Sequence, residues 1–450
     1  MNAQNKHAIV LGGSIAGLLA TRVLTDHFER VTLIERDALP AGAEPRKGAP
    51  QGRHLHALLA KGYQALVALF PGFKTDLLAA GAVIGDISND VRWYQGGYSV
   101  NFKSGIDAVF ISRPTLEQLI RQRILALPNL TLRQSCAVTA LTTTAEQQRV
   151  TGVMLQDRQT GQDETVTADL VVDATGRGSQ IPKWLAQLGY ATPAESTVNV
   201  GVSYATRLYR RTVNDDQAKA LLSVPVVPLE KRGGGVFPIE NSGWLVTLSG
   251  YQGDEAPTDA QGFLDYAHSL PAQEIYELLK NAEPLSEIAT YTYPASRRRH
   301  YEQLTRFPVG LITVGDAVCS FNPIYGQGMT VCALEALVLD NWLCSATQQN
   351  QTPDSLQFFK LIAKVIDVPW ALAKGADTVK EQPTLLDHYF NRLKKVSQHN
   401  KVVSLAFIKV VQLLAPPASL FHPQIMLRVL LGHGRSAQPQ EPVNSAWRTA

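Results

Sequence analysis

His7-Ala-Ile-Val-Leu11 runs into Gly12-Gly13-Ser14-Ile15-Ala16-Gly17, and Val31-Thr-Leu-Ile34-Glu35 follows within about thirty residues of the start. The first apolar run stops at the glycines. Ile15, Leu18, Leu19, Val23 and Leu24 then recur at helical spacing, and the second apolar run ends on an acid. Strand, glycine turn, helix, strand, acid is the context in which G-x-S-x-x-G reads as a dinucleotide fingerprint. Gly12 permits the tight turn and Gly17 lets helix and strand approach. Ser14, Ile15 and Ala16 open the helix, whose amides and positive dipole suit a pyrophosphate. Glu35 lies 18 residues beyond Gly17 and is placed to accept from a ribose hydroxyl. An acid rather than an arginine there argues against a 2′-phosphate and leaves FAD and NAD open. Ser14 stands where the usual motif has its second glycine.

Two distant segments extend the reading. Ala168-Asp-Leu-Val-Val-Asp173-Ala-Thr-Gly176-Arg-Gly178-Ser179 is an apolar strand breaking into a small-residue turn. Gly310-Leu-Ile-Thr-Val-Gly315-Asp316 is a second buried strand, which delivers Asp316 toward a ribityl hydroxyl. Asn322-Pro323-Ile-Tyr325-Gly326-Gln327-Gly328-Met329 then leads into a helix. Glycines let the backbone pass close under a flat ring, and a helix N-terminus stabilises negative charge on it.

With these three motifs in this order, the chain resembles the glutathione-reductase-type FAD-dependent monooxygenases related to para-hydroxybenzoate hydroxylase. The resemblance implies FAD as cofactor, Gly315 and Asp316 at the ribityl chain, and Pro323, Gly326 and Gly328 beside the flavin ring. It also implies roles for Arg53 and Arg113, which match two family arginines near the cofactor. Arg36, Asp173, Gly176, Gln327 and Met329 complete the expected cofactor set. Arg46 to His56, Asp169 to Ser179, Tyr204 to Tyr209 and Asn322 to Met329 look like the bacterial flavin epoxidases of polyether biosynthesis. That likeness implies oxygen transfer from a C4a-hydroperoxyflavin to an olefin or aromatic ring of a hydrophobic small molecule, in secondary metabolism. No catalytic side chain is required, since the flavin bears the chemistry.

Departures from the family pattern qualify the electron source. Thr175 stands where the family has the Asp of an Asp-Gly pair linked to NAD(P)H use, so electrons come either from NAD(P)H or from a separate flavin reductase, with O₂ as co-substrate. The Trp-x-Trp-x-Ile-Pro segment of related halogenases is absent. Two rival readings keep the flavin: a reductase or dehydrogenase of a polyprenyl or polyketide double bond, and a flavin-binding protein without turnover.

Composition sets the frame. The 450 residues carry a net charge of +3, and 18% are charged against 45% hydrophobic. A near-neutral balance gives no reason to expect nucleic acid as a partner. Four scattered cysteines make neither a disulfide framework nor a zinc site, so no metal is expected, and Cys319 and Cys332 read as packing residues. The start MNAQNKH lacks a signal-peptide pattern, and Val402 to Ala415, the longest apolar run, contains Lys409 and is too short to span a bilayer. These observations predict a cytoplasmic protein with no integral membrane segment.

The predicted fold is α/β: a Rossmann-like FAD-binding domain over residues 1–190 and 295–345, an inserted antiparallel substrate sheet over 191–294, and a helical region over 346–450. Thr131 to Thr167 reads as a β-meander, and segments around Val91 and Tyr98 add to the substrate sheet. Val403, Phe407, Val410, Val411 and Leu414 form one packing stripe of a helix. His54 and His56 are expected to flank a helix starting near Leu55 and to face the cofactor loop or solvent. Arg297-Arg-Arg-His300 is expected in a solvated turn.

Overall fold

The computed structural model describes residues 6–46, 48–212, 219–378 and 382–432. The expected helical region therefore continues past the described residues at 433–450. A five-stranded parallel sheet forms the base, in the order Leu311–Thr313, Leu170–Asp173, His7–Leu11, Arg30–Glu35, Leu130–Gln134. His7–Leu11, Leu170–Asp173 and Leu311–Thr313 are buried throughout, the all-apolar signature of parallel strands covered on both faces. Helix Gln327–Gln348 packs along helix Ile15–His27. It is long and apolar enough to cross a membrane, but much of it is core, with Val331, Ala333, Leu339 and Trp342 buried. Cys319 and Cys332 are buried here as well, and burial pushes both thiols well above their ordinary range.

A three-stranded meander, Cys136–Thr143, Val150–Asp157 and Asp163–Thr167, interrupts the parallel sheet. It starts later than the sequence suggested, because Leu130–Gln134 pairs with Arg30–Glu35 instead. Ser135, at φ 59°, makes the break between the two sheets.

The third layer is a seven-stranded sheet in the order Cys319–Ser320, Ala289–Arg299, Glu195–Arg210, Gly243–Tyr251, Arg232–Ile239, Ala220–Ser223, Val91–Tyr94. Arg232–Ile239 and Gly243–Tyr251 form a hairpin turned by Asn241 and Ser242, both at positive φ. Its last pair is parallel and joins Val91–Tyr94 to Ala220–Ser223, so a strand from the N-terminal third completes the sheet.

Four helices, Ser355–Asp377, Leu385–Ser397, Lys401–Val411 and Pro423–Leu431, follow. A capping box at Thr384 and Asp387 starts the second, and Asn400 accepts two amides at the start of the third. Val403 and Val410 pack inside this region, and Phe407, Val410 and Val411 also line a cavity.

Two expectations fail for identifiable reasons. Arg297 to Arg299 lie on strand Ala289–Arg299 rather than in a solvated turn. Arg298 reaches Glu302 and Asp367, and Arg299 reaches Glu195 and the Ala317 carbonyl, so buried guanidiniums are each paired. The helix expected near Leu55 begins at Ala60; Pro50–Arg53 is a short 3₁₀ turn and His54 is buried.

Candidate cofactor and substrate site

The three sequence motifs meet at the carboxyl edge of the parallel sheet. Leu11, Asp173 and Thr313 stand side by side in register, so each following turn emerges at the same edge. Gly12 sits at φ 100°, and a Cβ there would lie 2.6 Å from the Ala174 carbonyl oxygen. A Cβ on Gly17 would collide with the Gly12 carbonyl. These two glycines are sterically compulsory. Gly315, at φ 66°, abuts Ala16, which locks the third motif onto the first helix. Gly176, Gly178 and Gly328 lie in more open surroundings, Gly176 facing the Asp316 Cβ at 3.8 Å.

Ser14 caps helix Ile15–His27 without a side-chain bond to its amides, and no acid sits in the first turn. The Ser14 hydroxyl instead donates to Glu117 and accepts from Arg113 at 3.3 Å. The Arg113 Nε is buried with no hydrogen-bond partner. An uncapped helix N-terminus beside a guanidinium whose Nε has no hydrogen bond, though Glu117 lies 3.9 Å away, is a donor set that suits a pyrophosphate. Glu35 is buried and accepts from the Gly13 amide at 2.8 Å. Asp316 is half-buried; burial raises its carboxyl above the ordinary range, while Arg113 and Arg177 pull it back. These residues fit FAD: an acid for a ribose, donors for phosphates, an acid for the ribityl chain and a glycine-lined floor.

The remaining predicted residues divide. Ile15, Ala16, Gly326, Gln327 and Met329 line the two helix N-termini at this edge, and Gly326 is left-handed at φ 64°. Pro323–Tyr325 forms a 3₁₀ turn before it. Asp173 has both oxygens engaged locally, by Thr175 at 2.5 Å and Ser179 at 2.6 Å, and so shapes the turn. Arg36 is exposed beside Asp37, and Arg53 is exposed on its 3₁₀ turn.

Sequence reasoning missed Arg46. Its guanidinium is only 8% exposed and bridges Glu35 at 3.1 Å to Glu117 at 2.9 Å. It lies within a segment already singled out, but nothing in sequence spacing separates it from Arg53. Also missed was Glu335, which accepts from the Gly315 amide at 2.7 Å beneath the Gly-Asp turn. Burial lifts its carboxyl to about 8, with the Gly315 amide opposing and Asp316 reinforcing the rise.

Beyond the glycine loop lies a cavity of about 670 Å³. Pro323, Ile324, Tyr325 and Gln327 form one wall. The seven-stranded sheet contributes Tyr204, Phe237 and Tyr291, and the C-terminal helices contribute Leu372, Phe390, Phe407 and Val411. His54 lines it too, its Nδ1 hydrogen-bonded to Thr206 at 2.7 Å. Thr206 is bonded to Thr247 at 2.7 Å, which accepts from the Leu55 amide. Burial, and then Arg53, lowers His54 to about 4, so the ring is neutral at physiological pH. His56, lowered to about 3 by burial and Arg113, is neutral as well. The loop wall is tied down by Asp377, which accepts from Tyr325 at 2.6 Å and Asn322 at 2.9 Å.

A family model described as an FAD binding domain matches residues 6–358. Protein Rv3254 of Mycobacterium tuberculosis is 39% identical over 340 residues, 73% of this chain and 71% of that protein. Among solved structures, p-nitrophenol 4-monooxygenase PnpA from Pseudomonas putida is similar with a TM-score of 0.63 at 16% identity, covering 90% of this chain and 98% of that one. PqsL, a probable FAD-dependent monooxygenase from Pseudomonas aeruginosa, gives 0.61 at 16% over 83% and 97%. The flavin-dependent brominase Bmp2 gives 0.63 at 13% over 96% and 100%. At such identities these structures speak for the fold alone. With the family model spanning most of the chain and the motif geometry in agreement, the protein belongs to the FAD-binding-domain family, that of the flavin monooxygenases related to para-hydroxybenzoate hydroxylase.

Proposed function

We propose that the chain inserts one oxygen atom of O₂ into an olefin or aromatic ring of a hydrophobic small molecule, by epoxidation or hydroxylation, using electrons from NAD(P)H or a partner flavin reductase. The observation that carries this reading is the large apolar cavity whose wall is the same Pro323–Gln327 loop that ends in the cofactor glycines. Gly12, Ser14, Gly17, Glu35, Arg113, Gly176, Asp316, Gly326 and Gly328 would hold FAD; Arg36 and Arg53, both exposed, would contribute least. The chemistry supplied by bound FAD is reduction of O₂ and delivery of one oxygen to an electron-rich carbon, the other leaving as water.

The chain's own residues do the rest. Phe237, Tyr291, Phe390 and Phe407 exclude water and hold an apolar substrate against the loop. Asp377, through Tyr325 and Asn322, fixes the loop that sets the distance between cofactor and substrate. The neutral His54 ring offers a hydrogen bond without a charge, its other nitrogen being held by Thr206. Electrons arrive from outside: Thr175 stands in the family's Asp position, its hydroxyl committed to Asp173.

The test is turnover under ¹⁸O₂. FAD-loaded protein is mixed anaerobically with NADPH or NADH, or with a flavin reductase, and then with labelled oxygen and a panel of long-chain olefins and phenols. Flavin bleaching followed by a product carrying one ¹⁸O supports the reading. A product gaining two hydrogens and no label overturns it in favour of a double-bond reductase.

A further inference from the structure

Beside the main cavity lies a chamber of about 30 Å³, and Ile87, Val91, Trp93, Gln95, Lys394, Phe407 and Val411 line both. The chamber differs in character from the cavity beside it. Ser88, Gln95, Ser99, Lys394, Ser397 and Gln398 contribute to its wall. Two of these polar groups have no partner among the described residues. The Ser88 hydroxyl is buried, with the residue 5% exposed, and has no hydrogen-bond partner. Lys394 is half-buried, and among the described residues its ammonium makes no hydrogen bond or ion pair. The other charged side chain of the cavity wall, Asp387, is engaged in the capping box with Thr384.

A buried donor without an acceptor costs about 1–3 kcal/mol, and a partly desolvated charge carries a cost of its own, so a ligand that supplies acceptors is favoured there. A space that admits a water needs about 10–15 Å³ by the same measure, so the chamber has room for about two oxygen-sized atoms. Lys394 and Ser88 are both donors in this chamber, and one is cationic. That is the complement of a two-oxygen anion at the end of an apolar chain.

We propose that the substrate is an amphipathic carboxylic acid, its carboxylate seated in the side chamber between Lys394 and Ser88 and its apolar chain running through the main cavity toward the Pro323–Tyr325 loop. The assignment rests on the reading of the main cavity as a substrate site and names the class of molecule it takes. Desolvation lowers the Lys394 ammonium below its ordinary range, and a carboxylate beside it opposes that shift by charge attraction. Lys394 and Ser88 act here as specificity residues and take no part in the oxygen chemistry.

Oleate and oleyl alcohol, kept below micellar concentration, share one chain and differ in the head group. Titration calorimetry of the FAD-loaded protein, with tryptophan fluorescence as a second readout because Trp93 lines both spaces, measures both affinities. The expected result is oleate binding at least tenfold tighter than the alcohol. Lys394→Met removes that preference by weakening oleate alone, Lys394→Arg restores it, and Ser88→Ala lowers it about threefold. Equal affinities in the unaltered protein, or a preference that survives Lys394→Met, overturn the proposal. Should Lys394→Met fail to load FAD, the acid-to-alcohol ratio of the unaltered protein decides. Preferential oleate binding without ¹⁸O transfer to any olefin leaves the carboxylate seat standing and removes the monooxygenase reading; ¹⁸O transfer with no acid preference does the reverse.

Discussion

The cofactor edge and the substrate cavity are neighbours built on opposite principles. The edge is made by backbone: three strands in register, glycines that tolerate no Cβ, and helix N-termini. The cavity is made by side chains drawn from residues 51–59, 87–110, 204–249, 291, 323–327 and 371–421. A backbone site is fixed by geometry and resists change, whereas a side-chain site is respecified one residue at a time. A cofactor site set by backbone and a substrate site set by side chains can therefore share one chain.

The sharpest way to break that contrast is to put a side chain into the edge. Gly17→Val drives three carbons into the Gly12 carbonyl, and the expected result is loss of folded, FAD-bearing protein. Soluble yellow protein in normal yield would contradict it. Arg46→Met comes next. It removes the cation shared by the buried Glu35 and Glu117, leaving Glu35 only amide donors and Glu117 only Ser14 and Arg113, at about 3–5 kcal/mol measured by denaturant unfolding. A loss below about 1 kcal/mol would mean that the two acids relax into solvent.

Glu335 separates the regions by pH. Its folded carboxyl is raised to about 8 from an ordinary 4.5, so the folded state holds a proton that the unfolded state releases. The stability that Glu335 contributes is lost progressively as pH rises from about 4.5 to about 8, and that contribution is level outside the window. Glu335→Gln should remove this slope and gain on the order of a few kcal/mol over the unaltered protein at pH 8. Parallel unfolding curves for the two proteins from pH 5 to 8 would place the titration elsewhere.

Within the cavity a polar change is milder. Thr206→Val leaves the His54 Nδ1 without its partner, and a cost of about 1–3 kcal/mol with FAD content unchanged is expected. Loss of FAD in this variant would show that the two sites are not separable. The smallest effect belongs to Arg36→Ala, within about 0.5 kcal/mol and with unaltered FAD retention, since its only ion pair is an exposed one at 3.7 Å.

The same contrast explains what could be read from sequence. Gly12, Gly17, Glu35, Gly315 and Asp316 were legible because a tight turn or a buried acid at a strand end restricts which residues serve, and spacing along the chain carries that restriction. Arg46 was not, because its role depends on two acids at positions 35 and 117 converging on it, and a flexible arginine leaves no periodic trace. Arg297 to Arg299 misled for the related reason that their partners Glu195, Glu302 and Asp367 are supplied by tertiary structure. Ser88 and Lys394 lie 306 positions apart and meet only when the C-terminal helices close over the sheet.

The order of strands in the parallel sheet also governs how the chain must be made. Leu170–Asp173 has His7–Leu11 on one side, but its other side waits for Leu311–Thr313. At about 5–20 residues per second, a ribosome takes roughly 7–28 s to pass from residue 173 to residue 311. Throughout that interval an apolar strand edge stands open to any passing β-strand. Chains cut short before residue 311 keep that edge unpaired for good, so truncation there exposes a pairing template that the finished sheet covers.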